Sequence, residues 1–197
     1  MKKTRKLISM LVALMACTFI ACSGSSSSDD DDDASIPINA AFRDCTRVVS
    51  NVTLSDGNWT FMTTTDLGGY GGADSNVSLT ASNGRYTCTS GSATITSVLD
   101  NTSAAIVNSM SQEDKDAWLR EMASEYPGSQ ATVRGNKILI TTPMTQAELR
   151  EMQDEFDLNS FPPSVTIKTN ADNTKYVITN SEDRSTVIYL SKDINAR

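Results

Sequence analysis

Histidine is missing from all 197 residues of the chain. With it go Ser-His and Cys-His nucleophilic pairs, His-containing zinc sites and the side chain most used for proton transfer near neutral pH. Ser-x-x-Lys and Gly-x-Ser-x-Gly, two further hydrolase signatures, are absent as well. Basic residues are few, 17 against 24 acidic ones, for a net charge of −7. An acidic surface repels phosphate backbones and anionic lipid, so nucleic acid is not an expected partner. Paired carboxylates of the glycosidase kind survive these exclusions, but no spacing selects a pair. The expectation is a chain that is not an enzyme and needs no cofactor. A carboxylate-dependent hydrolase is kept as an alternative.

Long apolar runs are equally scarce. The clearest, Leu7 to Ile20, follows Lys2, Lys3, Arg5 and Lys6, the layout of a secretory signal peptide and too short to span a membrane. It ends in Phe19-Ile20-Ala21-Cys22, which resembles the lipobox of bacterial lipoproteins. The resemblance implies cleavage after residue 21 and lipidation of Cys22, and hence a lipid-anchored protein of the bacterial outer membrane, on its periplasmic face or at the cell surface. An upstream rival, Leu14-Met15-Ala16-Cys17, would leave a shorter apolar region and an exposed Thr18-Phe19-Ile20. Cleavage before Cys22 leaves 197 − 21 = 176 residues with a charge of 13 − 24 = −11.

Residues 22–35 read as a solvated tether, with Ser25 to Ser28 followed by five aspartates, Asp29 to Asp33. Serine and acidic residues just behind a lipidated cysteine resemble the export signal of surface-exposed lipoproteins of Bacteroidetes; a plain spacer is the other reading. The aspartates lack the turn of a calcium loop, so no metal site is expected. Cys45 and Cys88 are the cysteines left for the folded part. A single pair in an exported protein reads as a disulfide, worth up to about 4 kcal/mol on the chain-entropy account. Two buried thiols are the alternative.

Residues 36–197 read as one α+β domain. Period-2 alternation runs through Trp59 and Phe61, Val77 and Leu79, Tyr86 and Cys88, then Ala93 and Ile95, with threonines on the opposite face. Ser111 with Asp114 and Thr145 with Glu148 are capping boxes that open two amphipathic helices, one carrying Trp118, Leu119 and Met122, the other Leu149, Met152 and Phe156. Gly135-Asn136 joins a hairpin between the helices, and strands return at 165–168, 176–179 and 186–190. The expected architecture is a mostly antiparallel sheet or partial β-barrel with two amphipathic helices. Leu119-Arg120-Glu121-Met122 recurs as Leu149-Arg150-Glu151-Met152, which raises the idea of a duplicated helix-hairpin unit.

Gly57-Asn58-Trp59 resembles the Gly-x-Trp that opens the first strand of lipocalins. That resemblance implies a barrel holding an apolar ligand, with Gly57 and Trp59 structural and Arg184 across the ring. An ordinary core tryptophan is the competing reading. The functional expectation is a binding or interaction module for an unknown protein, glycan or apolar ligand, with a lipocalin-like carrier as alternative. Two features could contact a partner: Tyr70 in the Gly68–Gly72 loop, and helix faces bearing Met110, Met122, Met144 and Met152, which also suit plain core packing.

Overall fold

The described residues of the computed structural model are 38–124, 126–158 and 160–193, with Glu155 described by its backbone alone. The signal segment, Cys17, Cys22 and the tether lie outside them.

The strands are β1 (Arg47–Val49), β2 (Gly57–Asp66), β3 (Gly71–Ser82), β4 (Arg85–Val98), β5 (Gln130–Arg134), β6 (Lys137–Pro143), β7 (Val165–Thr169), β8 (Lys175–Asn180) and β9 (Thr186–Lys192). They form one nine-stranded sheet in the order β1-β7-β8-β9-β2-β3-β4-β6-β5. Every adjacent pair is antiparallel. The sheet is open, because β1 and β5 are its two edges and pair only inward. The α+β expectation holds in its antiparallel-sheet form, and the described strands do not close into a barrel. A sheet can bury its apolar face by closing on itself or by taking a layer of helix and loop, and this chain does the latter.

The alternation read from sequence is present in β2 and β3. Trp59, Phe61 and Thr63 are buried, as are Ala73, Ser75, Val77, Leu79 and Ala81, while Asp74, Asn76, Ser78 and Thr80 are exposed. On the apolar face Trp59, Phe61, Val77, Leu79 and Ala81 meet Cys88, Ala93, Ile167, Tyr176, Ile178, Ile188 and Leu190 in the main core. Trp59 sits within it, its indole N–H donating to the Ser55 carbonyl at 2.9 Å and its ring 6.1 Å from that of Tyr176. Strand β9 departs from alternation, with Thr186 to Leu190 all buried. The segment before β1 causes this: Phe42 and Cys45 cover Val177, Val187 and Tyr189 on the opposite face in a second, smaller core. A hydrogen bond from Asn39 N–H to the Tyr189 hydroxyl (3.1 Å) and a Lys175–Asp44 ion pair (3.1 Å) hold the segment down.

Among the described residues there are three α-helices rather than the two expected: α1 (Asn101–Ser109), α2 (Gln112–Ser124) and α3 (Gln146–Glu155). Helix α1 is polar apart from a few residues, and Val107 is its one buried side chain, so it carries little periodic signal. Its cap is clear all the same, with Asp100 accepting from the Ser103 N–H at 2.7 Å. The expected capping box at Thr145 and Glu148 forms with both reciprocal bonds. At Ser111 the hydroxyl accepts from the Asp114 N–H (3.1 Å) and donates to the Asp114 carboxylate (2.6 Å), an N-cap closed through the side chains. Helix α2 lies against β5, whereas α3 lies against β4. Each helix does precede a hairpin, β5–β6 or β7–β8, but α3 packs away from its own. The repeated string also differs in environment: Leu149 and Met152 are core residues, Leu119 and Met122 only half-buried.

Helix α3 comes close to β4 because of Gly91. A Cβ placed there would lie 2.9 Å from both Met144 Sδ and Val77 Cγ2, and 3.1 Å from Leu149 Cδ2. One residue type leaves that space.

A candidate interaction surface at the β2–β3 tip and the open polar face

Antiparallel register sets which loops share an end. The β2–β3 tip lies beside the end of β4, where Gly71 faces Ser97, and beside the start of β9, where Thr65 faces Thr186. The β5–β6 turn and the β8–β9 loop belong to this end too.

Residues 67–70 form the tip, with a short 3-10 turn over Gly68–Tyr70. Four polar contacts pin it. Leu67 N–H donates to the Gly71 carbonyl (3.1 Å), and Gly68 N–H to Asp66 Oδ1 (2.8 Å). Asp66 N–H reaches the Ser185 carbonyl at 2.8 Å, and Ser185 N–H returns to Asp183 at 2.9 Å, which ties the β8–β9 loop in. Gly71 is the fixed point: its φ is 139°, and a Cβ there would sit 1.8 Å from the Thr96 carbonyl oxygen. The expected Gly68–Gly72 loop is therefore shorter than read, since Gly71 and Gly72 already belong to β3. On this anchored tip Tyr70 is 88% exposed and Leu67 47%. At that exposure the Tyr70 ring buries little area for the fold.

The open side of β2, β3, β4 and β6 continues from the tip. Its rows, read across the strands, are Asp66–Gly72–Thr96–Leu139, Thr64–Asp74–Thr94–Thr141 and Met62–Asn76–Ser92–Pro143. The Thr94 and Thr141 hydroxyls are 2.9 Å apart. Asp74 stands on this face, yet its neighbours exclude enough water to raise its pKa; a hydrogen bond from Thr64 pulls it the other way. No group of three or more His, Cys, Asp or Glu residues that could hold a metal occurs among the described residues.

Other sites expected from sequence fall elsewhere. Cys22 lies outside the described residues. The Cys45–Cys88 bridge is not formed: both thiols are free and buried. Cys45 is in the smaller core and Cys88 in the main core, so the sheet separates them. Burial pushes the Cys88 thiol up to about 11, and burial followed by the nearby Asp44 raises Cys45. Met144 and Met152 are buried core residues. Trp59 pairs with Lys192 at one end of β9, while Arg184 precedes the other end, so the expected stacking across the ring is not made. Leu67, Asp66 and Asp74 were not singled out from sequence. Only the strand register, which period-2 reading leaves open between neighbours, could have placed them together.

No family model matches the chain, and neither the curated proteins nor the solved structures contain a significant match. No helix among the described residues is long and apolar enough to cross a membrane.

Proposed function

We propose that this chain is a lipid-anchored binding module of the bacterial outer membrane, facing the periplasm or the cell surface, that meets its partner through the Tyr70 end of the sheet. The anchor rests on Phe19-Ile20-Ala21-Cys22 and the Ser/Asp tether behind it. The binding role rests on one observation, an aromatic side chain 88% exposed on a tip whose backbone is pinned on both sides. Preorganised aromatics of this kind concentrate binding energy at interfaces. Binding is favoured over catalysis because the chain has no histidine. A barrel carrier for an apolar ligand is disfavoured by the open sheet, whose apolar face is already filled by α3 and core side chains. Cell fractionation tests the anchor: Cys22→Ala should move the protein out of the membrane fraction, and Cys17→Ala should leave it there. Recovery of an acylated fragment beginning at Cys17 would refute this assignment. For the activity, a measured turnover lost on a single Asp→Asn or Glu→Gln change, with folding intact, would overturn the binding reading.

A further inference from the structure

Resting on that reading of the Tyr70 end, we infer that the partner is a neutral glycan chain, lying across the open face from Tyr70 over the Thr64–Asp74–Thr94–Thr141 row. The chemistry of the face selects this class. Across β2, β3 and β4 the three rows nearest the tip carry two carboxylates, Asp66 and Asp74, one carboxamide, Asn76, and hydroxyls from Thr64, Thr94, Thr96 and Ser92, with Met62 as the sole large apolar side chain. The nearest cations in register, Lys137 and Arg134, stand on the same face in the next row, beside Val98 at the β5–β6 hairpin, so the three rows themselves hold no cation. Over these rows a polyanion is repelled by Asp66 and Asp74. Met62 on β2, packed against the smaller core, is separated by the polar strands β3 and β4 from Leu139 and Pro143 on β6, so an apolar ligand finds no continuous floor.

A sugar has what the face lacks. Each hydroxyl both donates and accepts, so carboxylates can take two donations and threonine hydroxyls can be paired in either sense. Its C–H face packs on an exposed aromatic ring, which Tyr70 supplies at the edge of the platform. Gly72, between Asp66 and Thr96, leaves a place without a side chain where a ring can approach the backbone. Thr64 to Thr141 spans three strand gaps, about 14 Å at roughly 4.8 Å each, which suits an oligosaccharide better than a single sugar. An extended peptide would instead seek the unpaired backbone of an edge strand, and these rows lie inside the sheet.

The test is affinity electrophoresis of the full lipidated protein in detergent, in gels containing mannan, dextran, galactan or xylan, with polygalacturonate as the anionic control. Retardation by at least one neutral polymer, and none by polygalacturonate, is the expected result. Asp74→Asn and Tyr70→Ala should each weaken it about tenfold, Tyr70→Phe should retain it, and Ser82→Ala at the far end of β3 should not change it. Circular dichroism of each variant separates lost binding from lost fold. No retardation by any of the four neutral polymers, preference for polygalacturonate, or unchanged affinity in both Asp74→Asn and Tyr70→Ala overturns the inference. A photoreactive phenylalanine at position 70, irradiated in outer membranes, keeps the two claims apart. With no retardation, a protein adduct leaves the binding-module reading standing and sinks the glycan; no adduct of any kind sinks both.

Discussion

Replacing Gly91 with alanine adds one methyl group to the place where α3 crosses β4. Gly91 has no positive φ, so the backbone itself accepts the new side chain. The difficulty is space: the methyl would stand 2.9 Å from Met144 Sδ and Val77 Cγ2 and 3.1 Å from Leu149 Cδ2. Val77 is 0% exposed and Leu149 1%, so neither has room to withdraw. Overpacking a filled core costs about 1–3 kcal/mol, and a stiffer unfolded chain returns about 0.4–1 kcal/mol of it. The net expectation is a destabilisation of about 1–2 kcal/mol. With a urea m-value of about 2 kcal/mol/M, the midpoint should fall by roughly 0.5–1 M with m unchanged. Met144 lies on one side of the new methyl, so Gly91→Ala in a Met144→Ala background should cost less than in the wild type, with a coupling of at least about 0.5 kcal/mol. A Gly91→Ala midpoint equal to or above that of the wild type would show that α3 does not seat on β4 at this closeness.

Thr145→Ala removes a capping box in which both reciprocal hydrogen bonds are present, and should cost about 0.5–2 kcal/mol in a urea melt; no loss would mean that α3 starts elsewhere. Tyr176→Phe deletes a hydroxyl that donates to the Thr53 carbonyl at 2.8 Å, for an expected loss of about 1 kcal/mol by thermal denaturation; a stabilised variant would contradict that hydrogen bond. The Cys88 thiol is raised from its ordinary 9.0 to about 11 by burial, so folding favours the protonated form. Its contribution is full below pH 9 and is lost as pH rises towards 11. Cys88→Ala should make the alkaline fall in stability shallower without abolishing it, because burial also raises the Tyr86 phenol. A slope unchanged in Cys88→Ala would exclude the thiol as a cause. In native protein at pH 8 both Cys45 and Cys88 should resist thiol reagents until denaturant is added; one rapid equivalent would contradict their burial.

Where a segment has one wet face and one dry face, composition reports the structure. Strands β2 and β3 alternate cleanly, and the side chains Trp59, Phe61, Val77 and Leu79 read as core from sequence and are core. The capping box at Thr145 and Glu148 was equally legible, since it depends on neighbours three residues apart. Other features depend on distant parts of the chain. Strand β9 is dry on both faces because residues 39–45, far away in sequence, lie across it, so its pattern is not alternating. Helix α1 has one buried side chain and therefore no stripe to recognise. The separation of Cys45 from Cys88 is also long-range, being set by which face of the sheet each reaches. The candidate surface was legible in part. Tyr70 stood out as an aromatic among glycines, but the Thr64–Asp74–Thr94–Thr141 row exists only once four strands are in register.

Strand order also bears on how the chain acquires this shape in time. The middle of the sheet is β9 against β2, which brings Phe61 to Leu190 and Thr65 to Thr186, partners separated by most of the folded chain. Hairpins β2–β3 and β3–β4 can form as soon as their own residues are available. The edge of β2, and half of the main core with it, must then wait unpaired until β9 arrives, since β9 is the latest strand in chain order. Closing so long a loop is entropically costly before contacts reward it, so the slow step of folding should be the arrival of this strand. During that interval β2 is an exposed edge carrying Trp59 and Phe61 with no partner, a template for pairing with another chain. On the proposed export route the unfolded chain would pass through that state outside the cytoplasm, which would make β9 docking the point at which folding and aggregation compete.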